Sequence, residues 1–222
     1  MTEILLIHAP GACSRVTMTA LEEIGISYTT MLLTEFRAMD EAEQQALNPR
    51  GKVPALRVGD RLLVENAAIL YHLHSIFPQA RLLPEEPAQL GHNAGLQDLV
   101  WCSATLHPMT RMLRASHRYT TSQDFESIAK KGVEYYQPVL KTLSDRFSTS
   151  QWWYGDQWSI VDTYLFWNYN TAQSGGLDLS GYPALDRHAR DVVDRPAFQR
   201  VRAHELAAVE AHDLQLLPGV EL

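Results

Sequence analysis

The chain is 222 residues long, with 45% hydrophobic and 20% charged residues, a composition that folds as one large domain or two small ones and excludes disorder, collagen and coiled coil. Nineteen Lys and Arg against 26 Asp and Glu leave a formal charge of -7, the wrong sign for a partner made of nucleic acid or an anionic membrane. No apolar run reaches the roughly 18 to 20 residues of a bilayer span. The opening MTEILLIHAP has neither the basic flank nor the cleavage site of a signal peptide, so a cytoplasmic location is expected.

Residues 3–8 (EILLIH) form a short leucine- and isoleucine-rich run stopped by Ala-Pro-Gly, the pattern of a buried strand entering a turn. From Ser14 the period becomes helical, with Val16, Ala20 and Ile24 on one face and Gly25 as the stop. Residues 27–34 read as a second strand and 39–47 as a short polar helix, ended by Asn48-Pro49-Arg50-Gly51. Two further strands, 54–58 and 61–64, flank Gly59-Asp60, a hairpin signal, and residues 67–77 return to helical spacing. The order β-α-β-α-β-β-α describes a small mixed sheet covered by helices. Prolines 78, 84 and 87 then mark a linker. Beyond it the strand signal stops: residues 89–115, 122–147, 159–172, 184–194 and 196–211 all read as helix, and the last ten or so residues as irregular.

Three segments carry chemistry. Pro10-Gly11-Ala12-Cys13-Ser14-Arg15 puts a thiol and a hydroxyl where a strand gives way to a helix. Unpaired N–H groups at a helix start favour an anion, so a thiolate of Cys13 or of a bound substrate suits the place. Equally, Ser14 could serve only as a helix cap and Cys13 as a small buried apolar residue. In Asn48-Pro49-Arg50-Gly51-Lys52-Val53-Pro54, a proline opening an interior strand is tolerable after a turn with a cis peptide, which would present the Val53 backbone to a ligand. At Glu65-Asn66 the sequence offers a natural N-cap in Asn66 and, beside it, a carboxylate that capping does not explain.

Taken in order along the whole chain, these segments resemble a cytosolic glutathione S-transferase, bacterial and most like the beta class. The resemblance implies a thioredoxin-like domain with a mixed four-stranded sheet over residues 1–77, a linker at 78–87 and an all-helical domain over 88–222. It implies glutathione as co-substrate, with Cys13 the first candidate and Ser14 the second for the residue beside the glutathione sulfur. Val53 would pair its backbone with the cysteinyl part ahead of a cis Pro54, and Glu65 and Asn66 would hold the γ-glutamyl end. Lys52 or Arg37 would meet the glycine carboxylate, and His107 would approach the sulfur from the second domain. Asn66 stands where the family usually has serine, and Val100 where an asparagine is expected.

The activity implied is conjugation of the glutathione thiolate to small apolar electrophiles by a homodimer. Disulfide or peroxide reduction through Cys13, or a fold kept for binding without turnover, are the rival readings. The two cysteines, Cys13 and Cys102, form no C-x-x-C pair, so a dithiol mechanism is not expected. Ser159-Ile160-Val161-Asp162 has capping-box spacing, and the tryptophans 152, 153, 158 and 167 around it read as core. Nine histidines suggest metal, but their spacing does not, and no metal site is expected.

Overall fold

A computed structural model describes residues 3–84 and 93–214. Two compact units emerge from it: Met1–Leu82 together with Pro196–Leu216, and Leu83–Arg195. The last helix, read from sequence with the helical domain over 88–222, groups with the first unit, and the first unit runs past residue 77 to Leu82. The N-terminal part of the helix read at 89–115, part of the linker and the irregular tail lie outside the described residues.

In the first unit, β1 (Ile4–His8), β2 (Thr29–Leu32), β3 (Ala55–Val58) and β4 (Arg61–Val64) form a sheet of order β2-β1-β3-β4. β1 runs parallel to β2 and antiparallel to β3. β3 and β4 pair Val58 with Arg61 across a two-residue turn, in which Gly59 takes φ 58°, a conformation that favours glycine. The mixed four-stranded sheet expected from the sequence is therefore present. The helices of this unit are α1 (Ser14–Ile24), α2 (Leu33–Ala38), α3 (Glu41–Leu47) and α4 (Asn66–Ile76).

One sheet face packs Ile7, Phe36 and Ala55 against Met31, Leu33, Met39, Leu47, Val53, Leu62 and Val64. α1 ends at Gly25, whose φ of 75° and N–H bonded to the Leu21 carbonyl form a left-handed cap. The strand read at 27–34 stops at Leu32 instead. There Glu35 takes the Leu32 N–H on its carboxylate (2.7 Å) and starts α2, a local bond that outweighs the β-favouring residues before it.

The second unit is helical: α5 (Ala94–Val100), α6 (His107–Arg114), α7 (Phe125–Thr149), α8 (Ile160–Gln173) and α9 (Pro183–Val193). Between α5 and α6 the chain widens into a π-helical segment, Trp101–Leu106. Pro108 explains it, because a proline ring collides with the carbonyl four residues back and brings no N–H of its own. The His107 N–H accordingly reaches back to the Cys102 carbonyl. α10 (Pro196–Ala211) follows α9 in sequence but packs on α1. No helix among the described residues is long and apolar enough to cross a membrane.

Candidate active site

Cys13 stands at the N-cap of α1, on a loop that Gly11 turns with φ 71°. The residue is 8% exposed, and its thiol lies 3.5 Å from the Val53 carbonyl, to which it donates. The peptide between Val53 and Pro54 is cis, as the sequence led us to expect. Ser14 takes a different part. It is fully buried as the first residue of α1, where its hydroxyl accepts from the Ala9 N–H (3.1 Å) and faces the Ala9 carbonyl (3.3 Å). Its polar capacity braces the loop from within.

Asn66 is where the sequence reading needs correction. It is not the cap of α4, because Glu65 holds that position and Asn66 is the first helical residue. Its amide turns inward, accepting from the Thr17 hydroxyl (2.6 Å) and donating to the Cys13 carbonyl (2.8 Å). The backbone N–H of the same residue lies at the start of the helix. The three sequence segments thus converge on Cys13: Val53 at its thiol and Asn66 at its carbonyl.

Glu65 faces outward with φ 69°. A left-handed backbone on a residue other than glycine costs on the order of 1 to 3 kcal/mol and is concentrated at functional sites. Arg50 is its neighbour, with Nη1 at 3.2 Å from Oε1 and side chains 62% and 72% exposed respectively. Arg50 was not among the residues singled out from sequence. Lys52 and Arg37 are exposed cations, and neither makes a side-chain hydrogen bond to the Cys13, Val53 or Glu65 segments among the described residues. Asn48, buried, donates to the Lys52 carbonyl (2.9 Å) and shapes the loop that leads to Val53.

Sequence reading also missed Glu205 on α10. Its carboxylate accepts from the Gly11 N–H (3.2 Å) and from Arg15 at Nε (2.8 Å) and Nη2 (2.5 Å), with both side chains buried. Burial pushes the Glu205 carboxyl up, opposed by the Arg15 charge and the Gly11 N–H. The loop carrying Cys13 is therefore tied down on both sides of the thiol. The signal was in the sequence: Phe198, Val201 and Glu205 share one buried stripe of α10, and a glutamate on such a stripe needs a buried partner. Nearby, His8 at the end of β1 is 1% exposed, its Nδ1 has no hydrogen-bond partner, and its ring lies 5.5 Å from that of His204. Burial, then the His204 charge, lowers its pKa to about 4.

In the second unit, His107 lies edge-on to Trp167 (4.6 Å between ring centroids), with Nδ1 at 3.4 Å from the Tyr164 hydroxyl. Burial and the charges of Arg111 and Arg114 lower its pKa to about 4, so it is neutral at pH 7. Asp98 accepts from the Trp153 indole (2.7 Å) and the Tyr154 hydroxyl (2.6 Å), which ties it to its own unit. Ser159 and Asp162 form the expected capping box on α8. Asp162 also accepts from the Trp153 N–H (2.6 Å) and meets His188 Nε2 at 3.3 Å, while His188 Nδ1 meets the Tyr169 hydroxyl at 2.9 Å. That fully buried network fixes the aromatic core around α8.

Residues 6–81 match the family model of the glutathione S-transferase N-terminal domain. Maleylacetoacetate isomerase of Pseudomonas aeruginosa is 28% identical over 185 residues, 82% of this chain and 86% of its own. A glutathione S-transferase of Xanthomonas campestris is 29% identical over 82% of this chain and 88% of its own. Among solved structures, a sphingomonad glutathione S-transferase complexed with glutathione superposes with a TM-score of 0.75 at 27% identity, covering 90% of this chain and 98% of that one. The first unit is thus similar to the N-terminal domain of glutathione S-transferases, and the chain is similar to members of that family over most of its length.

Proposed function

We propose that the protein binds reduced glutathione on its first unit and transfers it, as the thiolate, to a small electrophile. The observation that carries this reading is the convergence at Cys13, where thiol, Val53 carbonyl and the start of α4 meet. The residues fit the tripeptide: the Val53 backbone suits the pairing of an extended peptide, and the exposed Glu65 carboxylate suits an ammonium. Cys13, at the start of α1, donates a hydrogen bond to the incoming sulfur and places it where helix N–H groups favour negative charge. The thiolate forms a carbon–sulfur bond and the displaced group leaves with the bonding electrons.

A second reading has a specific observation behind it, the isomerase name of the Pseudomonas aeruginosa relative. The same thiolate would add to an activated cis double bond, allow rotation about the resulting single bond, and depart, restoring the double bond and the free thiol. Disulfide reduction through a mixed disulfide on Cys13 is the third use of the same site. The working form is a homodimer in the cytoplasm, read from the family, and light scattering of the purified protein checks the stoichiometry.

Calorimetric titration with reduced glutathione tests the common step. Saturable binding that weakens in Cys13→Ala and changes little in Ser14→Ala is expected. No heat at millimolar ligand would remove glutathione from the reading altogether. Assays with an activated aryl halide, a cis enone and a glutathione mixed disulfide then separate conjugation, isomerisation and reduction.

A further inference from the structure

Three basic residues of α6, His107, Arg111 and Arg114, stand at i, i+4 and i+7, which places them on one face of the helix. All three are half-buried. The flanking face is taken, since Thr110 and Leu113 are buried and α7 packs against Met112 and Leu113 through Gly132. Toward α8 the basic face meets aromatic groups: the Trp167 ring lies edge-on to His107, and the Tyr164 hydroxyl is 3.4 Å from its Nδ1.

A cation drawn partly out of water needs a carboxylate or carbonyl to face. Arg187, half-buried in the same unit, has Asp191 and the Phe147 and Ser150 carbonyls. Arg111 makes no side-chain hydrogen bond or ion pair among the described residues. The acids of the adjoining helices are spent elsewhere: Asp162 of α8 on Ser159, Trp153 and His188, and Asp98 of α5 on Trp153 and Tyr154. The charges of Arg111 and Arg114 therefore bear on His107 with no carboxylate opposing them, and together with burial, the larger cause, they lower its pKa to about 4. The helix dipole accounts for an exposed cation in the last turn of α6. It does not account for two that are half-buried and repel each other.

Resting on the transfer reading above, we propose that Arg111 is a specificity-determining residue that binds a carboxylate carried by the electrophile, with Arg114 reinforcing the positive field beside it. The acceptor of the glutathione thiolate is then a small unsaturated or aromatic acid. Its anionic end takes the guanidinium fork of Arg111, whose planar donors match a carboxylate, and its flat body suits the rings of Trp167 and Tyr164. An acid thus replaces the apolar electrophile expected from the sequence. The carboxylate takes no part in bond making. In transfer to an aryl halide the thiol proton goes to solvent, sulfur forms the bond to carbon, and the halide leaves with the electron pair of the broken carbon–halogen bond.

The test compares two acids, 3,5-dinitrobenzoate and cinnamate, with their methyl esters by equilibrium binding to wild type, Arg111→Gln, Arg111→Lys and Arg118→Gln. Arg118, exposed in the short turn after α6, controls for net charge. Wild type is expected to bind each acid about tenfold or more tighter than its ester, the size of one charged hydrogen-bonded pair. Arg111→Gln should bring acid and ester to similar affinity by weakening the acid, Arg111→Lys should recover part of the preference, and Arg118→Gln should keep it. Wild type that prefers the esters, shows no preference or binds neither overturns the proposal. So does an acid preference that survives Arg111→Gln, or one that Arg118→Gln erases to the same extent, which marks diffuse attraction instead of a site. An acid preference lost in Arg111→Gln, in a protein that gives no heat with glutathione, would support the anion site and overturn the glutathione reading alone.

Discussion

Glu205 accepts the backbone N–H of Gly11 at 3.2 Å although 194 residues separate them in the chain. The same carboxylate takes the Arg15 guanidinium, so one buried anion holds the loop before and after Cys13. Removing one member of a buried pair strands the other charge and costs about 3 to 5 kcal/mol. Glu205→Leu is therefore expected to lower the urea midpoint sharply. The double variant Arg15→Met, Glu205→Leu, which strands nothing, should recover most of the loss.

Asn66→Asp distinguishes the two jobs of the Asn66 amide. A carboxylate keeps an acceptor for Thr17 but cannot donate to the Cys13 carbonyl, and it buries a charge. Despite being nearly isosteric, it is expected to destabilise at least as much as Asn66→Ala, by about 1 to 3 kcal/mol. Equilibrium unfolding of the two variants decides the order.

Thiol labelling should be one-sided. Cys102 is fully buried, and burial, then the charges of Asp98 and Asp162, push its thiol well up. Native protein treated briefly with iodoacetamide at pH 7 is expected to gain a single adduct, at Cys13, and none in Cys13→Ala. Mass spectrometry of the intact chain reads the count.

Acid sensitivity follows from His8 and His107, both lowered to about 4. Between that value and the ordinary pKa near 6.5, the unfolded chain binds protons that the folded chain refuses, so stability rises with pH. It is complete above about pH 7 and lost as pH falls toward 4, by up to roughly 3 kcal/mol for His8. His8→Leu should flatten the dependence of unfolding free energy on pH between 5 and 7 by about one proton. An unchanged slope would show that His8 titrates normally in the folded protein.

Gly175 carries a packing constraint in the second unit. A β-carbon there would fall against the backbone of Leu113, which has no rotamer by which to withdraw. At Gly132 the obstruction is the tip of the Leu113 side chain, at 2.6 Å, which can turn away. Gly175→Ala is expected to cost about 1 to 3 kcal/mol, and Gly132→Ala less, because it also gains helix propensity. Thermal melts of the two rank them.

The sheet, its hairpin and the end of α1 were legible because each rests on local chemistry: short apolar runs for the strands, Gly59 in the turn, Gly25 after α1. The cis Val53-Pro54 peptide was legible for the same reason. α2 was not, since its start depends on Glu35 reaching back to Leu32, a bond that competes with strand-forming residues. The π-helical turn before His107 was hidden because Pro108 reads equally as a helix start. At the site, Cys13 and Val53 could be found from their motifs. The inward turn of Asn66 could not, and the buried stripe of α10 signalled that Glu205 has a partner without naming it, because each partner is distant in sequence and only the fold brings it close.

Because α10 packs on α1 while the second unit is made of the residues before it, the ribosome releases the helical unit complete before the sheet unit can close. Until residues near 205 emerge, the Arg15 charge has no carboxylate to enter the interior with, and the Gly11 N–H lacks the acceptor that holds the Cys13 loop. The nascent chain therefore carries an untethered Cys13 loop through most of its synthesis, and the anchor arrives with α10.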